Sequence, residues 1–158
     1  MQSVKESTRV ISVTQKNHRP QQPPGPGQSV ARVLVADDNP TARLTLQTVL
    51  EAGGYRVDSA ASAAEAVSLL DQSEYALVLS DLSMESPQAG LQVIAHARMK
   101  PYKPATAIVT TSGQERPEIA RGEFLVEPQN LPEFLGQVAA LISSRASRRV
   151  ARTLRQAS

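Results

Sequence analysis

Asp37 and Asp38 follow the aliphatic run Val33-Leu34-Val35, Asp81 follows Leu77-Val78-Leu79, and Thr110 follows Ala107-Ile108-Val109. Runs of this kind suit strands covered on both faces, and parallel strands put their carboxyl ends on one edge of a sheet. Carboxylates far apart in the chain then become neighbours. Three of them at close quarters repel one another unless a cation sits among them. An all-oxygen donor set suits Mg²⁺, which keeps several waters and typically binds one or two carboxylates together with phosphate oxygens. A hydroxyl at Thr110 would point into the same space. The chemistry this layout supports is phosphoryl transfer, in which positioning and charge neutralisation contribute most of the catalysis.

The elements that must position these residues alternate. Ala31 to Ala36 reads as a first strand. Asn39 is placed to cap the helix that follows, with Pro40 in its first turn, Leu44, Leu46, Val49 and Leu50 within it, and Gly53-Gly54 as its stop. Tyr55 to Ser59 reads as the second strand, and Ser62 with Glu65 as a capping box for a helix through Val67, Leu69 and Leu70. Ala76 to Leu79 is the third strand, Gly90 to Met99 a helix, Ala105 to Thr110 the fourth strand and Phe124 to Val126 the fifth. Asn130 and Glu133 cap a last helix that carries Leu135, Val138, Leu141 and Ile142. Between Thr110 and Phe124 only Gln114 to Ala120 can turn as a helix, and Pro117 interrupts it, so this helix is shortened. The pattern predicts a flavodoxin-like, doubly wound α/β fold, with a five-stranded parallel sheet and helices on both faces. In such sheets ligands sit at the carboxyl ends of the strands.

Composition narrows the classes. The chain has 158 residues, the length of one ordinary domain with room for tails. Its core must be aliphatic, because it has no Trp, two Phe and three Tyr. Zero Cys excludes disulfides, thiol catalysis and thiolate metal sites. Nothing approaches a signal sequence or a run of about 18 apolar residues, so a cytoplasmic protein is expected. Residues 1–29 end in a Pro/Gly/Gln run and read as a flexible extension, residues 30–144 as the folded domain, and residues 145–158 as a basic tail or an extension of the last helix. After Glu133 there is no acidic residue, whereas Arg145, Arg148, Arg149, Arg152 and Arg155 follow, so the net charge of +2 belongs to a segment.

Three motifs, Ala36-Asp37-Asp38-Asn39-Pro40, Ser80-Asp81-Leu82-Ser83-Met84 and Val109-Thr110-Thr111-Ser112-Gly113, with the strands before them and the separations between them, resemble the receiver domains of two-component response regulators over residues 31 to 143. The resemblance implies that Asp81 is the phosphoacceptor. It implies that Asp38 binds Mg²⁺ directly, Asp37 through water, and Ser83 through its backbone carbonyl. Thr110 then contacts the phosphoryl group and relays to Phe124, the family's switch aromatic, while Ser83 and Ser112 match positions that tune phosphoryl lifetime. Three departures accompany it. Glu127 stands before Pro128 where the family has a phosphate-pairing Lys, and a carboxylate there repels phosphate. The stretch from Thr110 to Glu127 is shorter than usual. The loop after Asp81 has its Pro displaced to Pro87.

The expected function is a stand-alone receiver, phosphorylated on Asp81 by a histidine kinase or phosphotransfer protein and acting through contacts with a downstream protein. It is not an enzyme beyond self-phosphorylation and self-dephosphorylation. Glu127 motivates the alternative of a degenerate receiver that binds a protein without phosphorylation. A haloacid-dehalogenase-type phosphatase is disfavoured because Asn39 stands where those enzymes resemble Asp-x-Asp. His18 and His96 have no second histidine at ligand spacing and read as surface residues. The arginine stretch reads as a solvated extension rather than an arm for nucleic acid, anionic lipid or an acidic partner, since no aromatics are interleaved. A homodimer is compatible with the sequence.

Overall fold

A computed structural model describes residues 30–82, 84–86, 88–110, 125–126 and 131–157. In chain order the elements are β1 (Arg32–Ala36), α1 (Pro40–Ala52), β2 (Arg56–Ala60), α2 (Ala63–Gln72), β3 (Leu77–Asp81), α3 (Ala89–Met99), β4 (Ala105–Val109), β5 (Leu125–Val126) and α4 (Leu131–Ala157). The strands form one parallel sheet in the order β2-β1-β3-β4-β5. This is the doubly wound α/β architecture that the alternation of strands and helices predicts. The Gln114–Ala120 stretch, Asn130 and the side chains of β5 lie outside the described residues.

Alternation along the strands divides the core in two. Val33, Val35, Leu77, Leu79, Ala107 and Val109 point to one face, where Leu46 and Leu50 of α1 and Phe134 and Val138 of α4 cover them. Leu34, Ala36 and Val78 point to the other, against Ala66 and Leu70 of α2 and Val93 and Ala97 of α3. Each fully buried aliphatic side chain contributes about 1.5 to 3 kcal/mol. Leu44, by contrast, lies on the outward face of α1, 64% exposed.

Local residues set the helix ends. The Asn39 side chain accepts from the N–H groups of Thr41 and Ala42 at 3.0 and 3.1 Å. Gly53 caps the end of α1, and Gly54 has a φ of 95°, a conformation costly for any residue with a Cβ. The Ser62 hydroxyl accepts from the N–H of Glu65, but the Glu65 carboxylate reaches back to the N–H of Ala61 rather than to Ser62, one residue earlier than a capping box requires.

α4 is 27 residues long, about 40 Å at 1.5 Å per residue. Its first half packs on the sheet through Phe134 and Val138. Beyond Arg145 every described residue is exposed, so its second half projects past the domain. Among the described residues no helix is long and apolar enough to cross a membrane.

Candidate phosphoryl site at the strand ends

The sheet order places β1 between β2 and β3, so successive crossovers leave β1 in opposite directions. The winding reverses at the carboxyl ends of β1 and β3, the point at which doubly wound sheets bind their ligands. Asp37 and Asp38 follow β1, Asp81 is the last residue of β3, and one carboxylate oxygen from each lies within 4.8 Å of the others. Asp37 and Asp81 are buried and Asp38 is exposed. β3 and β4 pair with Asp81 opposite Val109, which sets the buried Thr110 at the same edge. The structure thus brings together Asp37, Asp38, Asp81 and Thr110. Ser83, Ser112, Phe124 and Glu127 lie outside the described residues.

Mutual repulsion at such separations is about 3 kcal/mol per ionised pair at an effective dielectric of about 20. Burial pushes the Asp37 carboxyl above the ordinary carboxylate range. Its hydrogen bond from the Asn39 N–H, at 2.9 Å, opposes that rise, the Asp38 charge adds to it, and Arg43 opposes it. Two buried carboxylates held beside a third are an arrangement that a divalent cation relieves.

Three contacts at the site have no counterpart in the sequence reading. The Arg43 guanidinium donates to the Asp37 carbonyl at 2.8 Å, holding the turn after β1 against the start of α1. Glu85, in the loop after β3, accepts from the N–H of Ala63 at 2.6 Å and so ties that loop to the first turn of α2. Gly90 packs against the main chain of Asp81, and its carbonyl accepts a hydrogen bond from the Ser80 hydroxyl at 3.1 Å. Met84 is buried beside them, its sulfur 3.7 Å from the same hydroxyl. Of the three, only Gly90 carries a sequence signal, a glycine near the start of a helix where a side chain would be expected.

Residues 33–122 match the family model of the response regulator receiver domain. Among curated proteins, the chain is 28% identical over 127 residues to the transcriptional regulatory protein TcrA of Mycobacterium tuberculosis, covering 74% of this chain and 50% of that one. It is 30% identical over 116 residues to the transcriptional regulatory protein ResD of Bacillus subtilis, covering 70% and 48%. The chain thus spans about half the length of the curated relatives it matches. Of solved structures, the chemotaxis protein CheY4 of Vibrio cholerae superposes with a TM-score of 0.62 at 23% identity, over 72% of this chain and 99% of that one. That likeness speaks for the fold.

Proposed function

The chain belongs to the response regulator receiver domain family, the signalling domain of two-component systems, and from that premise we propose that Asp81 is its phosphoacceptor. The observation that carries the reading is the carboxylate cluster, with Asp81 at its strand end beside Asp37 and Asp38. A carboxylate oxygen of Asp81 attacks the phosphorus of a phosphohistidine on a histidine kinase or phosphotransfer protein. The phosphorus–nitrogen bond breaks, the departing imidazole nitrogen keeps the electron pair, and Asp81 is left as an aspartyl phosphate.

An all-oxygen donor set with a buried, mutually repelling pair fits Mg²⁺. Asp38 and Asp81 would hold it directly, Asp37 through water, and Ser83 through its backbone carbonyl. When bound, the ion supplies the positive charge that offsets the carboxylates and the phosphoryl oxygens. Thr110 donates its hydroxyl to a phosphoryl oxygen, and Phe124 passes the change to the surface that contacts a downstream protein. The aspartyl phosphate hydrolyses by attack of water within the same pocket.

Glu127 supports a second reading, in which the domain binds its protein target without phosphorylation, because a carboxylate replaces the cation that would pair with the phosphoryl group. One experiment separates the two. The full chain is incubated with acetyl phosphate and Mg²⁺ and followed by intact-mass spectrometry. A phosphoryl adduct that is absent from Asp81→Asn supports phosphorylation at Asp81, and no adduct on the unaltered chain leaves the second reading.

A further inference from the structure

The projecting half of α4 carries two faces side by side. At 3.6 residues per turn, Arg145, Arg148, Arg149, Arg152 and Arg155 fall within an arc of about 120° and span about 15 Å. The adjoining arc carries Ile142, Ala146, Val150 and Leu154, of which Val150 and Leu154 are 60% and 66% exposed. Each face borders a groove. One, of about 580 Å³, is lined by Pro104, Ala105 and Leu141 together with Lys103, Arg148 and Arg152. The other, of about 540 Å³, runs from Ala31 and Ala76 along Ile142, Val150 and Leu154. Ala31, Ala76 and Ala105 lie at the amino ends of their strands, so this surface is at the end of the sheet opposite Asp81.

The arginines are held at high density. Arg145 is buried, its guanidinium donating to the carbonyls of Lys103 and Tyr102 at 3.0 and 2.9 Å, which anchors the helix at its exit from the domain. Among the described residues Arg148, Arg149 and Arg152 form no ion pair. A cluster of like charge beside exposed apolar side chains is costly unless a partner of opposite charge covers both.

We infer that this surface docks an acidic amphipathic helix of a partner protein, whose carboxylates meet the arginine face while its apolar residues cover Val150 and Leu154. Charge excludes the other occupants. A second α4 would set arginine against arginine. Residues 1–29 carry Lys5, Arg9, Lys16 and Arg19 against Glu6, so the chain's own amino-terminal segment is repelled. Nucleic acid would satisfy the arginines but leave the apolar stripe in water, and neither groove is lined by an aromatic on which a base could stack. A membrane surface needs a broad apolar face opposite the basic one, whereas here the two are adjacent and the apolar face has two exposed large side chains. Acidic helix in groove is the mode that uses both faces at once.

The test uses the full chain, without phosphodonor or Mg²⁺, and a fluorescent synthetic peptide of about 15 residues, long enough to form a helix on docking, with Glu on one face and Leu on the next. Fluorescence anisotropy is expected to show binding that weakens as salt shortens the screening length from about 10 Å at 0.1 M. Arg148→Gln/Arg149→Gln/Arg152→Gln keeps helix propensity, which circular dichroism verifies, and is expected to raise Kd about tenfold by removing three facing charges. Val150→Ser/Leu154→Ser is expected to raise Kd about a hundredfold by removing the apolar contact, about tenfold for each of the two side chains. Asp81→Asn should bind as the unaltered chain does, which keeps this result separate from the phosphorylation reading. No binding, a loss confined to one of the two variants, or tighter binding of a DNA duplex or of phosphatidylserine vesicles than of the peptide overturns the inference.

Discussion

Gly90, in the first turn of α3, rests against the carbonyl group of Asp81. A Cβ placed on Gly90 would collide with the Asp81 carbonyl oxygen and stand 3.2 Å from its carbonyl carbon and 3.3 Å from the Ser80 hydroxyl. In an ordinary helix, glycine to alanine stabilises by up to about 1 kcal/mol. Here the sign reverses, because the obstructing atoms are backbone that cannot rotate away. Gly90→Ala is expected to destabilise the fold by about 1 to 3 kcal/mol in urea denaturation and to slow adduct formation at Asp81. A stabilised variant would show that α3 shifts freely off the strand.

Glu127 gives a gain-of-function test. Glu127→Lys replaces a carboxylate with the cation that the resemblance to receiver domains places before Pro128, and a charged hydrogen bond is worth about 1.5 to 3 kcal/mol. Binding of beryllofluoride in the presence of Mg²⁺ should therefore tighten about tenfold or more. Equal affinity of the two proteins for beryllofluoride would remove Glu127 as the reason for a weakened phosphoryl site.

Arg145 joins α4 to the loop before β4 through two backbone carbonyls, forty-two and forty-three residues away in the chain. Arg145→Met keeps an apolar stem but strands those carbonyls, and is expected to cost about 1 to 3 kcal/mol in urea denaturation. Arg145→Lys should not restore the loss, since an ammonium lacks the planar fork that reaches both carbonyls. Full stability of the Lys variant would argue that the charge alone matters.

Two phenols carry raised pKa values. Burial first, then the charges of Glu74 and Asp71, push Tyr102 up to about 12, and its hydroxyl donates to the Leu70 carbonyl at 3.0 Å. Burial and then the Asp58 carboxylate, which accepts from the phenol at 2.7 Å, likewise raise Tyr75. A folded-state pKa above the unfolded value means that the stabilisation is complete below about 10 and is lost as pH rises through the folded value. Urea midpoints should therefore fall as pH climbs from 10.0 towards about 12. In Tyr102→Phe that decline should be shallower. A slope identical in the two proteins would detach Tyr102 from alkaline unfolding.

Much of this was legible because it is local. Asn39-Pro40 and Gly53-Gly54 mark the ends of α1 through contacts within four residues, and the aliphatic runs ending in Asp37, Asp81 and Thr110 identify strand ends without knowledge of neighbours. Where two local signals competed, tertiary packing decided: Leu44 sits inside a helical pattern yet faces water, because the sheet covers only the arc that holds Leu46 and Leu50.

The sequence by itself determined which residues end the strands, and hence which carboxylates were available to a phosphoryl site. Strand order decided that they meet: β1 and β3 are neighbours although a strand and two helices separate them in the chain. Only the tertiary structure showed Gly90 beneath Asp81, Glu85 on α2 and Arg145 across to the loop before β4. Each is a contact between residues nine or more apart, whose partner is chosen by the packing of whole elements and leaves no periodicity to read. The same packing ends at Arg145. Beyond it α4 continues on the strength of its own backbone hydrogen bonds, with every described residue exposed.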